Sequence, residues 1–266
     1  MTKLTHIAIA GTNGRMGREL IYTCLTDNKV LLNEALVRAE SPYLGQKAAT
    51  LTSLSVDSIQ CSSQDKPFDK NTDVLIDFTL PDNLISNLAR CVSANIAIVI
   101  GTTGFTKQQQ LVINQAATQI PILQASNMSL GVNLTFDLLR RLTTMLGDTV
   151  GVKITETHHV NKKDAPSGTA LSMAKVIANT LNKELDDCLV IDDLTDPKPG
   201  FIHVNSIREG KELGVHTVSF HMQDEQIDIT HRSGNRQIYA KGAIKAANWL
   251  ANKKPGLYSM DDILAL

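Results

Sequence analysis

The stretch of sequence that decides the fold reads His6-Ile-Ala-Ile-Ala-Gly11-Thr-Asn-Gly14-Arg-Met-Gly17. Residues 6–10 form an apolar run that predicts a strand, and residues 15–26 carry apolar side chains at the spacing of one helix face. A glycine turn between a strand and a helix presents backbone N–H groups and the positive end of the helix to a pyrophosphate. The stretch therefore predicts the first strand and helix of a domain that binds a dinucleotide.

Asn13 departs from the usual G-x-G-x-x-G pattern, in which a glycine occupies this middle position. An asparagine tolerates a left-handed backbone but leaves less room for a phosphate than a glycine does. An ordinary glycine-rich turn is therefore the alternative interpretation. The predicted strand before the turn and the predicted helix after it favour the dinucleotide site.

The second predicted strand, residues 31–37, is followed directly by Arg38. Sites that prefer NAD usually carry an acidic residue here to bind the ribose, whereas an arginine pairs with the 2′-phosphate of NADP. A solvated arginine is the alternative, and Glu34 or Glu40 could turn toward the ribose and restore binding of NADH. We therefore expect NADPH as the preferred cofactor, with NADH also used.

Three further strands are predicted by continuous apolar runs, as in parallel sheets covered by helices on both faces. They span residues 73–78, 96–100 and 121–125, with a predicted helix over residues 108–118 between the last two. Ligands of such sheets lie beyond the carboxyl ends of the strands. The residues that follow the last two strands, Gly101-Thr-Thr-Gly104 and Ala125-Ser-Asn-Met128, are therefore expected to approach the cofactor.

After Asn127 the pattern changes to that of a second, α+β domain. Apolar and polar residues alternate in the predicted strands, as in half-buried antiparallel sheets. The predicted strands are residues 202–208, 215–222 and 226–232, and the predicted helices are residues 134–146 and 170–181. The helical pattern of residues 237–252 could pack on either domain.

The composition excludes several classes of protein. The chain has 266 residues, which at about 150 residues per domain predicts two domains. Lys and Arg number 26 against 27 Asp and Glu, so nucleic acid is an unfavourable partner. The apolar run of residues 6–10 is too short for a signal or membrane segment, which predicts a cytoplasmic protein. The cysteines are far apart in the chain, which predicts reduced thiols: Cys24, Cys61, Cys91 and Cys188.

The densest group of reactive side chains lies in Glu156-Thr-His-His-Val-Asn-Lys-Lys-Asp-Ala-Pro-Ser-Gly-Thr-Ala170. Two histidines and two lysines precede a predicted helix start, whose N–H groups can bind an anion. If residues 152–157 form a strand, His158 and His159 face different ways. A solvated basic loop that Ser167 caps into a helix is the alternative. No metal is expected, because the other histidines lie on predicted strands without paired spacing: His203, His216, His221 and His231.

The segment 156–170 closely resembles the signature of the dihydrodipicolinate reductase family, also called 4-hydroxy-tetrahydrodipicolinate reductase, of the diaminopimelate route to lysine. The resemblance spans nearly the whole chain, since other segments resemble family landmarks in family order. These are Gly11-Thr-Asn-Gly-Arg-Met-Gly17, Ile76-Asp-Phe-Thr79, Ile100-Gly-Thr-Thr-Gly-Phe105, Asn127-Met-Ser-Leu-Gly-Val-Asn133 and Ile229-Thr-His-Arg232.

The resemblance implies an NAD(P)H-dependent oxidoreductase that reduces a cyclic imine dicarboxylate and gives tetrahydrodipicolinate. It places the general acid at His158 and a second catalytic cation, which also binds substrate, at Lys162. The other substrate-binding positions are His159, Ser167, Gly168 and Thr169. Lys163 contributes only local positive potential. The cofactor-binding positions are Gly11, Thr12, Asn13, Gly14, Arg15, Met16, Arg38, Gly101, Thr102, Thr103, Ala125, Ser126, Asn127 and Met128.

The implied fold is an α/β, Rossmann-type parallel sheet domain plus a smaller α+β domain with an open mixed sheet. Residues 1–127 with 237–266 would form the dinucleotide-binding domain, and residues 128–236 the substrate-binding and oligomerisation domain of a homotetramer. Two other functions remain alternatives: another two-domain NAD(P)-dependent dehydrogenase of small acids, and a non-catalytic dinucleotide-sensing protein. An acylating semialdehyde dehydrogenase would need a nucleophilic cysteine, and none of the four lies beside the basic segment.

Overall fold

The computed structural model describes residues 4–265, which divide into two units. The first unit consists of two segments, one that ends at Leu130 and one that begins at Gln237, and the second unit is Gly131–Arg236. No helix within the described residues is long and apolar enough to cross a membrane.

A seven-stranded, wholly parallel sheet forms the centre of the first unit. Its strands are β1 (Thr5–Ala10), β2 (Val30–Val37), β3 (Cys61–Ser63), β4 (Val74–Asp77), β5 (Ala97–Ile100), β6 (Pro121–Gln124) and β12 (Gly256–Tyr258). The helices of this unit are α1 (Arg15–Thr26), α2 (Pro81–Ala94), α3 (Lys107–Ala116), α7 (Gln237–Leu250) and α8 (Met260–Leu264). Strands β4 and β5 are buried along their whole length, as expected for a sheet with helices on both faces.

The strand order β12-β6-β5-β4-β1-β2-β3 reverses direction at β1, which lies between β4 and β2. In open parallel sheets a crevice for ligands forms at such a reversal, beyond the carboxyl ends of the strands. Gly11 follows β1 there, and Phe78 follows β4. The topology therefore places the glycine turn where a ligand can lie.

Helix α7 packs closely on the loop that follows β6. A Cβ atom built on Gly242 would lie 1.7 Å from the carbonyl oxygen of Met128, so no larger residue fits there without movement of the backbone. Four buried alanines of α7 allow the same close packing against the sheet: Ala240, Ala243, Ala246 and Ala247. The helical pattern of residues 237–252 therefore belongs to the first unit.

The second unit contains a five-stranded mixed sheet in the order β11-β10-β7-β9-β8. Its strands are β7 (Gly151–His158), β8 (Leu189–Ile191), β9 (Ile202–Arg208), β10 (Val215–His221) and β11 (Gln226–Arg232). The helices are α4 (Leu130–Leu146), α5 (Gly168–Thr180) and α6 (Leu185–Cys188). Apolar side chains of α4 and α5 share one core with one face of β7, β9 and β10.

The predicted fold class is confirmed in both units. Helix α2 is the main element that the sequence analysis missed, although Pro81 at its start and the buried positions Leu84, Leu88 and Cys91 have the expected spacing. The short strands β3, β8 and β12 were also missed, because three residues are too few to show a period. Helix α4 begins at Leu130 rather than at residue 134.

Candidate active site

The turn after β1 is built around glycines that larger residues cannot replace. Gly11 has φ +66°, and a Cβ atom there would lie 2.9 Å from the Thr79 side chain. A Cβ atom on Gly17 would lie 2.4 Å from the carbonyl oxygen of Gly11, so α1 rests directly on the turn. The first N–H groups of α1 have no partner within the helix, and a helix start that follows such a turn is the arrangement that binds a pyrophosphate.

A cleft of about 300 Å³ opens beside this turn. Its lining residues are Gly11, Asn13, Gly14, Arg38, Gln64, Phe78, Thr79, Leu80 and Asn83. Arg38 is the only charged residue among these described lining residues. The glycine turn and the arginine that the sequence analysis singled out therefore share one cleft.

Glu34 does not line this cleft. Its Oε2 atom accepts hydrogen bonds from the Thr72 hydroxyl at 2.6 Å and from the Asp69 N–H at 3.1 Å. Glu40 is exposed and is not a lining residue either. The Glu34 carboxylate is therefore held by other partners and does not offer the acidic ribose contact that the sequence left open.

Several predicted cofactor residues have buried side chains. The Thr12 hydroxyl donates to the Leu36 carbonyl at 3.0 Å, and the Thr102 hydroxyl donates to Asp77 Oδ1 at 3.1 Å. Met128 is also buried, in the core of the first unit. These three residues lie at the carboxyl edge of the sheet, where contact with a cofactor would involve their backbone atoms.

The fully buried carboxylate of Asp77 organises this edge, and the sequence analysis gave it no role. Its oxygens accept hydrogen bonds from Thr79, Thr102 and the Asn87 side chain. The ends of β4 and β5 and helix α2 are thereby held together. The only signal in the sequence was that an aspartate stands in a run of apolar residues.

The other predicted cofactor residues follow strand ends of the same sheet. Thr103 and Ser126 are exposed, whereas Ala125 and Asn127 are half-buried. A Cβ atom on Gly101 would lie 2.3 Å from the ring of Phe78, so the glycine lets this ring lie across the end of β5. With the turn glycines and Arg38, these residues fit a nicotinamide dinucleotide laid along the edge of the sheet.

The basic segment of the second unit follows β7, which ends at His158. Burial alternates along β7, so Glu156 and His158 lie on its buried face while the following His159 is half-buried. The prediction that the two histidines face different ways is confirmed. Ser167 caps α5, since its hydroxyl accepts a hydrogen bond from the Ala170 N–H at 3.2 Å, as predicted.

Glu156 is fully buried and holds several partners at once. Its Oε2 atom is hydrogen-bonded to His158 Nδ1, and its Oε1 atom accepts from Arg208 at 2.7 Å and from the Ser167 N–H at 3.1 Å. Burial alone would raise the pKa of Glu156, but the hydrogen bond from Arg208 and the charge of His158 outweigh it and lower that pKa. Glu156 is therefore a carboxylate at neutral pH.

His216 joins this cluster from β10, where it stands opposite Glu156 in the strand register. Its Nε2 atom is 3.1 Å from the Ser167 hydroxyl, and its ring meets the His158 ring edge to face at 5.2 Å between centroids. Burial, followed by the nearby charge of His158, lowers the pKa of His216 to about 4. His216 is therefore neutral at physiological pH.

Glu156, His158 and His216 are also close enough to act as metal ligands. Their candidate ligand atoms lie within 4.8 Å of one another, and this group is the only such cluster among residues 4–265. Arg208 already pairs with the carboxylate, however, and His158 Nδ1 takes its other oxygen. The cluster is thus charge-compensated by protein groups, and the arrangement is that of a hydrogen-bonded histidine rather than of a metal centre.

Lys162 and Gly168 lie at the open side of the segment. The Lys162 ammonium contacts both carboxylate oxygens of Asp164, at 2.9 and 2.7 Å. A Cβ atom on Gly168 would meet no other atom within 4 Å, so the first residue of α5 faces open space. A cation and a helix N-terminus beside open space form a suitable site for a carboxylate.

The low pKa of His216 predicts a pH-dependent stability. The folded state binds this proton less tightly than the unfolded chain does, so the stabilisation is complete above pH 6.5 and is lost as the pH falls toward 4. The loss is about 3 kcal/mol. Urea unfolding, followed by circular dichroism, should show this loss in the wild type. His216→Gln, which cannot titrate, should lose less by about that amount, and equal losses in the two proteins would contradict the prediction.

Comparison with known proteins agrees with these features. The family model "Dihydrodipicolinate reductase, N-terminus" matches residues 5–128, and "Dihydrodipicolinate reductase, C-terminus" matches residues 131–264. The chain belongs to the dihydrodipicolinate reductase family. The family resemblance and the prediction of a nicotinamide-dependent reductase are confirmed.

Individual relatives match over almost their whole length. A 4-hydroxy-tetrahydrodipicolinate reductase of Syntrophotalea carbinolica is 42% identical, over 98% of this chain and 98% of the relative. One of Pseudoalteromonas atlantica is 41% identical, over 99% and 100%. A solved dipicolinate-bound dihydrodipicolinate reductase from a Paenisporosarcina species has a TM-score of 0.79 at 23% identity, over 98% of this chain and all of that one. This structure supports the fold.

Proposed function

We propose that this chain reduces the 4-hydroxy-tetrahydrodipicolinate substrate of its family to tetrahydrodipicolinate, in the diaminopimelate route to lysine. The observation that carries the proposal is the arrangement of His158, Lys162 and Gly168 at the start of α5. A histidine positioned by Glu156 stands at the end of β7, and two groups suited to carboxylates follow it. The near full-length relatives that bear this name support the same reaction.

In the proposed reaction, each residue of the basic segment acts on one part of the dicarboxylate. Lys162 binds a carboxylate and stabilises negative charge as it develops, and the N-terminus of α5 at Gly168 and Thr169 holds carboxylate oxygens. His159 and Ser167 complete the site. The reduced nicotinamide, when bound, supplies the hydride. The 4-hydroxyl of the substrate leaves as water, which gives a conjugated C=C bond. The hydride adds to one carbon of this bond and His158 gives a proton to the carbon next to it, which leaves the imidazole neutral.

A direct assay tests this function. The substrate is generated fresh from pyruvate and aspartate semialdehyde by the preceding synthase, and oxidation of NADPH is followed by absorbance. We expect rapid oxidation that requires both the substrate and this protein. A folded protein that shows no substrate-dependent oxidation with either NADPH or NADH would overturn the proposal.

The cysteines argue against an acylating dehydrogenase. All four are free and buried. Burial raises the pKa of the Cys24 and Cys91 thiols far above neutrality, and it also raises the pKa of Cys61 and Cys188. A covalent thioester mechanism needs an accessible thiolate. None of these residues meets that requirement.

NADPH is the proposed preferred cofactor, because Arg38 is the charged residue in the cleft and the Glu34 carboxylate is turned to other partners. One charge-assisted contact contributes about 1.5 to 3 kcal/mol, or roughly 10- to 150-fold in affinity. We therefore expect the wild type to favour NADPH over NADH in kcat/KM, and Arg38→Ala to lose most of that preference while its use of NADH changes little.

The control for this measurement is Lys29→Ala, which removes an exposed cation directly before β2, at the amino edge of the sheet and away from the cleft. It should keep the ratio of the two kcat/KM values. Equal use of both cofactors by the wild type, or an Arg38→Ala variant with an undiminished preference for NADPH, would show that Arg38 does not select the cofactor.

A homotetramer and a cytoplasmic location also remain proposals. The edge strand β11 supports self-association, because most of its residues are exposed and Ile227 is 37% accessible. An exposed edge strand offers unpaired backbone groups that a second copy could cover.

A further inference from the structure

Burying the carboxylate of a glutamate beside a histidine has a large free-energy cost. Glu156 lies at the end of β7 that reaches the basic segment, on the otherwise apolar face that α4 and α5 cover. Removing a carboxylate from water is strongly unfavourable, and its partners must offset that cost. Each of its oxygens has a defined partner, one of which is His158. The proposed reaction gives a role to His158 but none yet to Glu156.

We propose that Glu156 is a positioning residue for the general acid, an inference that rests on the proposed role of His158 as that acid. Its carboxylate accepts the Nδ1–H of His158, so that Nε2 carries the proton that is transferred. Arg208 holds the carboxylate in the required orientation. The proposal concerns how the proton is placed, and Glu156 itself does not contact the substrate.

The geometry around the ring fits this assignment. Nδ1 faces Glu156, whereas no described residue forms a hydrogen bond to Nε2. A Cβ atom on Gly214 would lie 3.0 Å from Nε2, so the glycine keeps this side of the ring uncrowded. After Nε2 gives up its proton, the ring is left as the Nδ1–H tautomer, which the carboxylate continues to stabilise.

Arg208 connects the carboxylate to the rest of the segment. One of its terminal nitrogens donates to Glu156 Oε1 at 2.7 Å and to the backbone carbonyl of Asp164 at 2.6 Å. It stands opposite His158 in the register of β7 and β9. The same contact thus fixes the carboxylate and links the loop that carries Lys162 to the sheet.

The charges that face His158 explain why a carboxylate is needed. Burial lowers the pKa of His158, and the positive charges of Lys162 and Arg208 lower it further. Glu156 opposes them through its charge and its hydrogen bond. His216, which faces the ring from β10, is neutral at this pH. Without Glu156 the ring would face two cations and would hold its proton poorly at neutral pH.

Glu156→Gln tests the proposal by removing the charge while keeping the shape. We expect kcat to fall about 10²-fold, because the tautomer and orientation are no longer fixed, with less than about a threefold change in KM. Activity requires protonated His158 and therefore declines as the pH rises through the pKa of the ring. The variant loses the group that raises this pKa, so the decline in kcat/KM should move to lower pH.

Asp137→Asn is the matched control. Asp137 is a largely buried carboxylate of α4 in the same unit, and it pairs with Arg141 on its own helix. This variant should keep the wild-type kcat and pH profile. Glu156→Asp, which retains the charge on a shorter side chain, should recover part of the lost kcat. A Glu156→Gln variant with wild-type kcat and an unmoved pH profile would overturn the proposal.

The tautomer can be measured without turnover. In proteins with ¹⁵N-labelled histidine, two-bond ¹H–¹⁵N correlation spectra show which ring nitrogen carries the proton. We expect neutral His158 of the wild type to be protonated at Nδ1 and to lose this preference in Glu156→Gln. An Nε2–H tautomer in the wild type, or an unchanged tautomer in the variant, would refute the inference.

This measurement separates the inference from the proposed function. A wild type that does not oxidise NADPH with the substrate refutes the function, while the spectra still decide the role of Glu156. If Glu156→Gln does not fold because Arg208 is left unpaired, Glu156→Gln with Arg208→Gln removes both charges together. That double variant should fold and should show the altered tautomer, with a smaller shift of the decline to lower pH, because the loss of Arg208 also removes a charge that lowers the pKa of His158. Wild-type values for both would refute the inference.

Discussion

His158→Gln is expected to lower kcat by about 10²- to 10⁴-fold, the contribution of a general acid in the transition state. Glutamine fills a similar space and can still hydrogen-bond to Glu156, but it cannot release a proton at neutral pH. KM should change much less than kcat, because the groups that bind the carboxylates remain. Steady-state kinetics with NADPH and freshly generated substrate measure both constants.

His221→Gln is the control for this variant. His221 lies at the far end of β10 from His216, and its loss should leave kcat unchanged. If His158→Gln keeps nearly the wild-type kcat and only KM rises, then His158 is a binding residue and not the general acid.

The sequence was most informative where the site is built from consecutive residues. The turn at Gly11 and the segment 156–170 are each formed by one local stretch, so the order of residue types is enough to predict a strand, a turn and a helix start. The distinct environments of His158 and His159 could likewise be predicted, because side chains alternate along a strand. The physical information is local in each of these cases.

Arg208 and His216 could not be predicted as site residues, since each is far from His158 in sequence. They reach it because β9 and β10 flank β7, and the register sets His216 opposite Glu156 and Arg208 opposite His158. Register depends on the pairing of the whole sheet, which no local pattern specifies. His216 therefore looked like any histidine on a strand.

Glu34 illustrates a second limit of local reading. Because Glu34 lies on β2 shortly before Arg38, the sequence allowed its carboxylate to contact the ribose. The orientation of its carboxylate depends on Thr72 and on the Asp69 N–H, which belong to the loop before β4. Tertiary contacts thus exclude Glu34 as a cofactor-selecting residue, which the sequence alone could not do.

Lys162→Ala is expected to lower kcat about 10²- to 10³-fold, the usual cost of removing a group that stabilises charge in the transition state. KM should also rise, since the ammonium contributes to carboxylate binding before the reaction. In the structure its ammonium contacts both carboxylate oxygens of Asp164, which lies in the same loop. Kinetics of the variant with NADPH test both effects.

Lys163→Ala is the matched control, because Lys163 is the neighbouring lysine and is exposed. It should change kcat little. KM should rise only slightly, because Lys163 contributes only local positive potential. A Lys162→Ala variant with a raised KM and an unchanged kcat would make Lys162 a binding residue alone.

The pH profile of Lys162→Ala gives a further test with an opposite sign to that of Glu156→Gln. The charge of Lys162 helps to lower the pKa of His158, so its removal raises that pKa. Because activity is lost as the ring deprotonates, the decline in kcat/KM should move to higher pH in Lys162→Ala and to lower pH in Glu156→Gln. A general effect on folding would shift both variants alike. Opposite shifts therefore identify His158 as the group whose proton the two charged residues control, and shifts in one direction would contradict it.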